Sequence, residues 1–134
     1  MFELGEKMDI NKAKNLNAIV LAFVGDAVYS LFVREKLTFE FDYKSGELNK
    51  LATAKVNAVA QAEFLKQILP LLTDDEMTIF KRARNAKKPT RAKHASVADY
   101  NVATGFEAVI GYLYLTGQND RLNFLLNKGN EYEG

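Results

Sequence analysis

Two stretches of this chain read as helices with almost no polar face. Leu16 to Val33 runs LNAIVLAFVGDAVYSLFV, eighteen residues in which Asp26 is the one charge. Val102 to Leu115 runs VATGFEAVIGYLYL, and its one charge is Glu107. Helices apolar on nearly every face have to be enclosed by others, so these two should form the central pair of a helical bundle. Glycines lie close to the acids, Gly25 on the first helix and Gly105 and Gly111 on the second, and would let backbones approach closely. If Asp26 and Glu107 face each other, two acids share a poorly hydrated site. Either one then takes up a proton or a cation sits between them. Oxygen ligands without His or Cys favour Mg²⁺ or Mn²⁺ over zinc. The alternative is local satisfaction, with Asp26 bonded to Ser30 or Tyr29 and Glu107 accepting from a buried tyrosine hydroxyl or paired with an arginine.

The remaining pattern is helical almost throughout. Only Pro70 and Pro89 punctuate the chain, and no Val/Ile/Thr-rich alternation argues for strands. The first helix is expected over Leu16 to Lys36, followed by a loop near TFEFDYKSG. A second helical region covers Glu47 to Leu69, with a break near Thr53. Thr73 with Glu76 forms a capping-box pattern that starts a third helix, which fades into a basic stretch. Ser96 with Asp99 caps the next helix, which stops at Gly117. A short amphipathic helix, DRLNFLLNKG, follows. At 134 residues and 48% hydrophobic, the chain is long enough to bury one core. The expectation is a single all-α domain over residues 1–134, with an irregular basic loop at about 81–98.

The net charge of +1 conceals an asymmetry. Residues 81–94, KRARNAKKPTRAKH, hold seven of the eighteen Lys and Arg and no acid, which leaves eleven bases against seventeen acids elsewhere, or −6. An acidic body carrying one basic segment points to contact with a polyanion; a solvated loop is the plainer alternative. The chain has no Cys, so disulfides and thiolate metal sites are excluded. Its N-terminus is too polar for a signal peptide, and its apolar runs fall short of the roughly 20 residues a membrane span needs. The expected location is the cytoplasm.

A hard metal beside a basic segment suits phosphodiester chemistry, in which Mg²⁺ polarises a phosphoryl oxygen and activates water. The bases alternate with Ala, Asn, Pro and Thr rather than aromatics. Phosphate contact along a duplex therefore fits better than stacking on unpaired bases. The candidate contacts are Arg82, Arg84, Asn85, Lys87, Lys88, Arg91 and Lys93.

VGDAVY at 24–29 and GFEAVIGYLYL at 105–115 resemble the two halves of the ribonuclease III catalytic signature. The likeness is closer to the short Mini-ribonuclease III branch, which lacks a double-stranded-RNA-binding domain. It extends through LNAIVLAFVGDAVYSLFVR at 16–34, the Lys55–Gln61 stretch, RNAK at 84–87 and Tyr100. The resemblance implies that Asp26 and Glu107 are catalytic and hold Mg²⁺, with Mn²⁺ able to substitute. It also implies a homodimer with two sites facing one valley, cleavage of double-stranded RNA to 5′-phosphate and 3′-hydroxyl ends, and maturation of large-subunit (23S) ribosomal RNA presented in a ribosomal-protein complex. Ribonuclease III proper carries further carboxylates four residues before the first acid and three before the second. Here those positions are Ala22 and Thr104, the pattern associated with the short branch, which implies a sparser shell filled by water. Asn49 and Asn101 stand where that branch is expected to have His and a basic residue.

Other residues have plainer readings. Tyr29, Tyr112 and Tyr114 fall at core or dimer spacing, and Phe64, Leu65, Ile68 and Leu72 read as core or interface. His94 reads as a phosphate contact or solvated, and Glu47 as at most a water-mediated metal partner. A non-catalytic duplex-RNA-binding module and a scaffold docking an acidic protein remain the competing classes. Neither role needs acids in apolar helices.

Overall fold

The computed structural model describes residues 6–40, 45–88 and 96–131. Seven α-helices follow in order: α1 (Ile10–Lys14), α2 (Ala18–Glu40), α3 (Ser45–Val56), α4 (Ala58–Ile68), α5 (Asp74–Asn85), α6 (Val97–Leu115) and α7 (Asn119–Glu131). A 3₁₀ turn at Leu69–Leu71 joins α4 to α5. The all-α expectation holds for every described element.

Helix α6 is the axis of the molecule. Every residue from Ala103 to Leu113 except Glu107 is buried, because α2, α4, α5 and α7 all pack around it. Its start is fixed by Ser96, whose Oγ accepts from the Asp99 amide at 3.0 Å. Its end is a Schellman turn: Gln118 N–H donates to Leu113 O at 2.9 Å and Gly117 N–H to Tyr114 O at 3.1 Å. Gly117 sits at φ +70°, where an L side chain is strained.

Helix α2 meets α6 backbone to backbone. A Cβ placed on Gly25 would lie 1.7 Å from the Glu107 carbonyl oxygen, and one on Gly111 would lie 2.0 Å from that of Leu21. Behind the crossing, Tyr29, Phe64 and Phe106 close a trio of edge-on rings with centroids 5.0–5.8 Å apart. Helix α2 is not enclosed as α6 is. Val20, Phe23 and Leu31 lie on its solvent side, with Phe23 79% exposed.

Three boundaries differ from expectation. Helix α2 continues to Glu40 because Leu37, four residues beyond Val33, extends the same buried stripe and outweighs the strand preference of the Thr-Phe sequence. The break in the α3–α4 region falls at Asn57 rather than Thr53. The Asn57 side chain accepts from the Ala60 amide at 2.9 Å and donates to Ala54 O at 2.8 Å, serving both helix ends. Helix α5 runs through Asn85, and Val97 and Ala98 open α6, so both ends of the expected 81–98 loop are helical. Ile79, Phe80 and Ala83 supply the buried face that keeps α5 wound.

The capping box at Thr73 and Glu76 is present with both hydrogen bonds. Glu76 is 2% exposed, and its charge is matched by Arg121 of α7 through two bonds of 2.8 and 2.9 Å. Arg121 also donates to Leu71 O at 2.6 Å. Removing one partner of such a pair strands a buried charge.

The glycine crossing yields a direct expectation. Gly111→Ala forces two helix backbones apart, so it should lower unfolding free energy by ~3 kcal/mol, the upper end of overpacking costs. An alanine variant as resistant to urea as the wild type would show that α2 and α6 do not touch there.

Candidate active site

The site begins with the same glycine. Gly25 brings α2 against the Glu107 carbonyl, and the next residue along is Asp26. The two acids, eighty-one positions apart in sequence, therefore meet at the edge of the crossing, with their carboxyls within hydrogen-bonding reach. Asp26 is exposed and Glu107 half-buried, so the pair has one wet side and one dry side. Burial, then the hydrogen bond that the protonated Glu107 donates to Asp26, then the charge of Asp26 push the Glu107 carboxyl up to about 9. At neutral pH and without a cation, Glu107 holds a proton. Its polar partner is Asp26, in place of the tyrosine or arginine of the alternative reading.

An acid kept protonated by burial and by a neighbouring acid is the electrostatic condition that a divalent cation relieves. Among the described residues no cluster of three or more His, Cys, Asp or Glu is present. The donor set is thus two carboxyls, which fits Mg²⁺ or Mn²⁺. Mg²⁺ in particular keeps several waters and is commonly held by one or two carboxylates plus phosphate oxygens. Ala22 and Thr104 add no carboxylate. Ala22 is buried, and the Thr104 hydroxyl donates back to Tyr100 O at 2.9 Å.

Helix α5 and the three residues after it carry the described cations of the basic stretch. Lys81, Arg82, Asn85 and Lys87 are exposed, and Arg84 and Lys88 half-buried. Arg84 lies over the Phe80 ring, 5.4 Å from its centroid, and its Nε donates to the Asn85 side chain at 3.2 Å. Lys88 donates to Arg84 O at 2.9 Å and Ala86 O at 2.7 Å, capping the end of α5; desolvation holds its pKa below the ordinary lysine value. Arg82 turns the other way, donating to Lys14 O and, at 3.0 Å, to Leu16 O. Arg91, Lys93 and His94 lie outside the described residues. Lys81 is not among the expected contacts, although it precedes Arg84 and Asn85 at helical spacing and shares their stripe.

Tyr29 and Tyr112 are buried among packed rings and helices, as expected of core residues. Glu47 is exposed in the first turn of α3. Asn49 is exposed and Asn101 half-buried.

The ribonuclease III domain family matches residues 19–118, a span that includes both acids and all of α5. The chain belongs to the ribonuclease III family. Within it, the chain is 46% identical to Mini-ribonuclease 3 of Enterococcus faecalis over 116 residues, covering 85% of this chain and 88% of that protein. It is 43% identical to Mini-ribonuclease 3 of Clostridium tetani, covering 92% and 82%. A crystal structure of a Fusobacterium nucleatum protein superposes with a TM-score of 0.81 at 34% identity, covering 90% of this chain and 96% of that one. The ribonuclease III fold expected from the signature residues is thereby established.

The proton on Glu107 sets a pH dependence. Unfolded, the carboxyl ionises near its ordinary value of 4.5, whereas folded it ionises at about 9. Its contribution to stability is therefore full below that lower value and is lost as pH rises through the upper one. In EDTA, melting temperature should fall between about pH 5 and about pH 9, and Glu107→Gln should flatten that fall. An equal slope in both proteins, measured by differential scanning calorimetry, would place the proton elsewhere.

Proposed function

We propose that this chain is a cytoplasmic, Mg²⁺-dependent endoribonuclease that cuts double-stranded RNA, with maturation of 23S ribosomal RNA in a ribosomal-protein complex as its task. The observation that carries the reading is the Asp26–Glu107 pair at the α2–α6 crossing. Family membership and the similarity to Mini-ribonuclease 3 proteins support it. Among the described residues no helix is long and apolar enough to cross a membrane.

Asp26 and Glu107 would hold the ion, and Mn²⁺ would substitute for Mg²⁺. When bound, the ion supplies positive charge to the scissile phosphate and lowers the pKa of the attacking water. Glu107 gives up its carboxyl proton as the pair takes the cation. Asp26 faces solvent, so the phosphate approaches from that side. Lys81, Arg84 and Lys87 lie in or beside the α5 stripe that would track the RNA backbone, which positions a duplex without reading its bases. Attack by water with departure of the 3′-oxygen leaves a 5′-phosphate and a 3′-hydroxyl.

The enzyme is proposed to act as a homodimer. Val20, Phe23, Ala27 and Leu31 fall on one face of α2, and the three larger side chains are 40–79% exposed. A stripe of this kind on a single chain is unusual unless something covers it. A second copy related by a two-fold axis would cover it and set two sites on one duplex. Phe23→Asp should convert the dimer to a monomer by light scattering, and a wild-type chain that is already monomeric at micromolar concentration would refute the arrangement.

The absence of carboxylates at Ala22 and Thr104 favours a second reading, a non-catalytic duplex-binding module. The two separate cleanly. Asp26→Asn keeps the shape of the pair and removes charge, so cleavage of an end-labelled duplex in Mg²⁺ should drop to background while binding persists. Glu107→Gln should do the same, and the losses should not add, because both acids serve one site. A wild-type protein that binds the duplex and never cuts it would establish the module instead.

A further inference from the structure

Arg82 lies within the most basic stretch of the sequence and is exposed, yet its guanidinium is spent on backbone carbonyls of the protein itself. Its two terminal nitrogens donate to the carbonyls of Lys14, the last residue of α1, and Leu16, in the turn before α2. The Lys14 oxygen is one of the last carbonyls of α1, which have no intrahelical partner. Two turns earlier on the same face of α5, Asp75 pairs with the Lys14 ammonium at 2.9 Å. That pair is largely exposed and worth little, so Arg82 carries the tie between α5 and the root of α2.

The opposite attachment of α5 is Phe80. Its buried ring lies where a Cβ on Gly105 would be, 2.3 Å from the ring edge, and Gly105 is two residues from Glu107 on α6. Helix α5 is thus fastened to both acid-bearing helices, to α6 by Phe80 and to the base of α2 by Arg82. Lys81 on α5 and Lys87 just past its end are exposed.

Resting on the duplex-cutting activity proposed above, the geometry points to Arg82 as a positioning residue. It fixes the distance between the cations that hold the RNA backbone and the carboxyl pair that meets the scissile phosphate. It is not one of the phosphate contacts. With Arg82 removed, α5 keeps its Phe80 seat and its Glu76–Arg121 pair to α7 and loses its hydrogen-bonded point on the root of α2, so the held duplex shifts relative to Asp26 and Glu107. Lysine cannot replace arginine here, because one ammonium does not reproduce a planar fork spanning two carbonyls.

The test compares R82A, R82K and K87A on an end-labelled RNA duplex, with folding checked by circular dichroism. For R82A and R82K alike, the slope of log affinity against log salt should match wild type. Cleavage at saturating RNA should slow roughly tenfold or more, since a displacement of about 1 Å can cost ~10²-fold. The cuts should also spread to neighbouring phosphodiesters. K87A should instead flatten the slope by roughly 0.7–0.9 and leave the cut position fixed. A flattened slope in R82A that R82K restores would make Arg82 a phosphate contact and overturn the proposal, as would wild-type turnover at the wild-type position in R82A. If the wild-type chain cuts no duplex, the functional reading fails, and the strut is judged by hydrogen exchange at residues 13–18. Faster exchange there in R82A and R82K than in wild type upholds it, and unchanged exchange overturns it.

Discussion

Backbone contact between α2 and α6 is the constraint from which the rest of the structure follows. Two helices ordinarily pack with axes 8–10 Å apart, the gap being set by side chains. At Gly25 and Gly111 there are none, and carbonyl and amide atoms of one helix lie against the other. That proximity lets a short Asp side chain on α2 reach a carboxyl on α6. It also leaves α6 surrounded, with the Tyr29–Phe64–Phe106 rings on one side and Phe80 against Gly105 on another.

The acid pair sits badly with the stability of its surroundings. A carboxyl forced to stay protonated at neutral pH costs free energy relative to the same group in water, and the fold tolerates it where the core is otherwise apolar. Strain concentrated at one site, with good packing elsewhere, is the usual distribution around a functional centre.

Much of this was legible in the sequence, for identifiable reasons. One charge in each of two apolar runs, 16–33 and 102–115, marked Asp26 and Glu107, because an acid is conspicuous among apolar side chains. Thr73–Glu76, Ser96 and Gly117 were readable because caps and stops are local chemistry. The glycines announced a close approach without saying which helix faces which. What stayed hidden is tertiary. The fate of Arg82 is decided by carbonyls 66 and 68 positions away, and a basic run looks alike whether its side chains point in or out. The Glu76–Arg121 pair spans 45 positions. Helix α2 overran its expected end because Leu37 finds the core, a fact that composition around Thr38 and Phe39 obscures.

The Glu76 carboxylate has a consequence for the order in which the molecule is assembled. One oxygen caps the start of α5 through the Thr73 amide, and both oxygens wait for a guanidinium on α7. Emerging from the ribosome, α5 is complete well before α7, so a charge destined for the interior has no counter-ion for the time it takes α6 and α7 to follow. The helix that positions the proposed RNA contacts therefore packs on the core with one end strained until α7 supplies Arg121. Burial of Glu76 with its charge matched is thereby tied to the docking of α7.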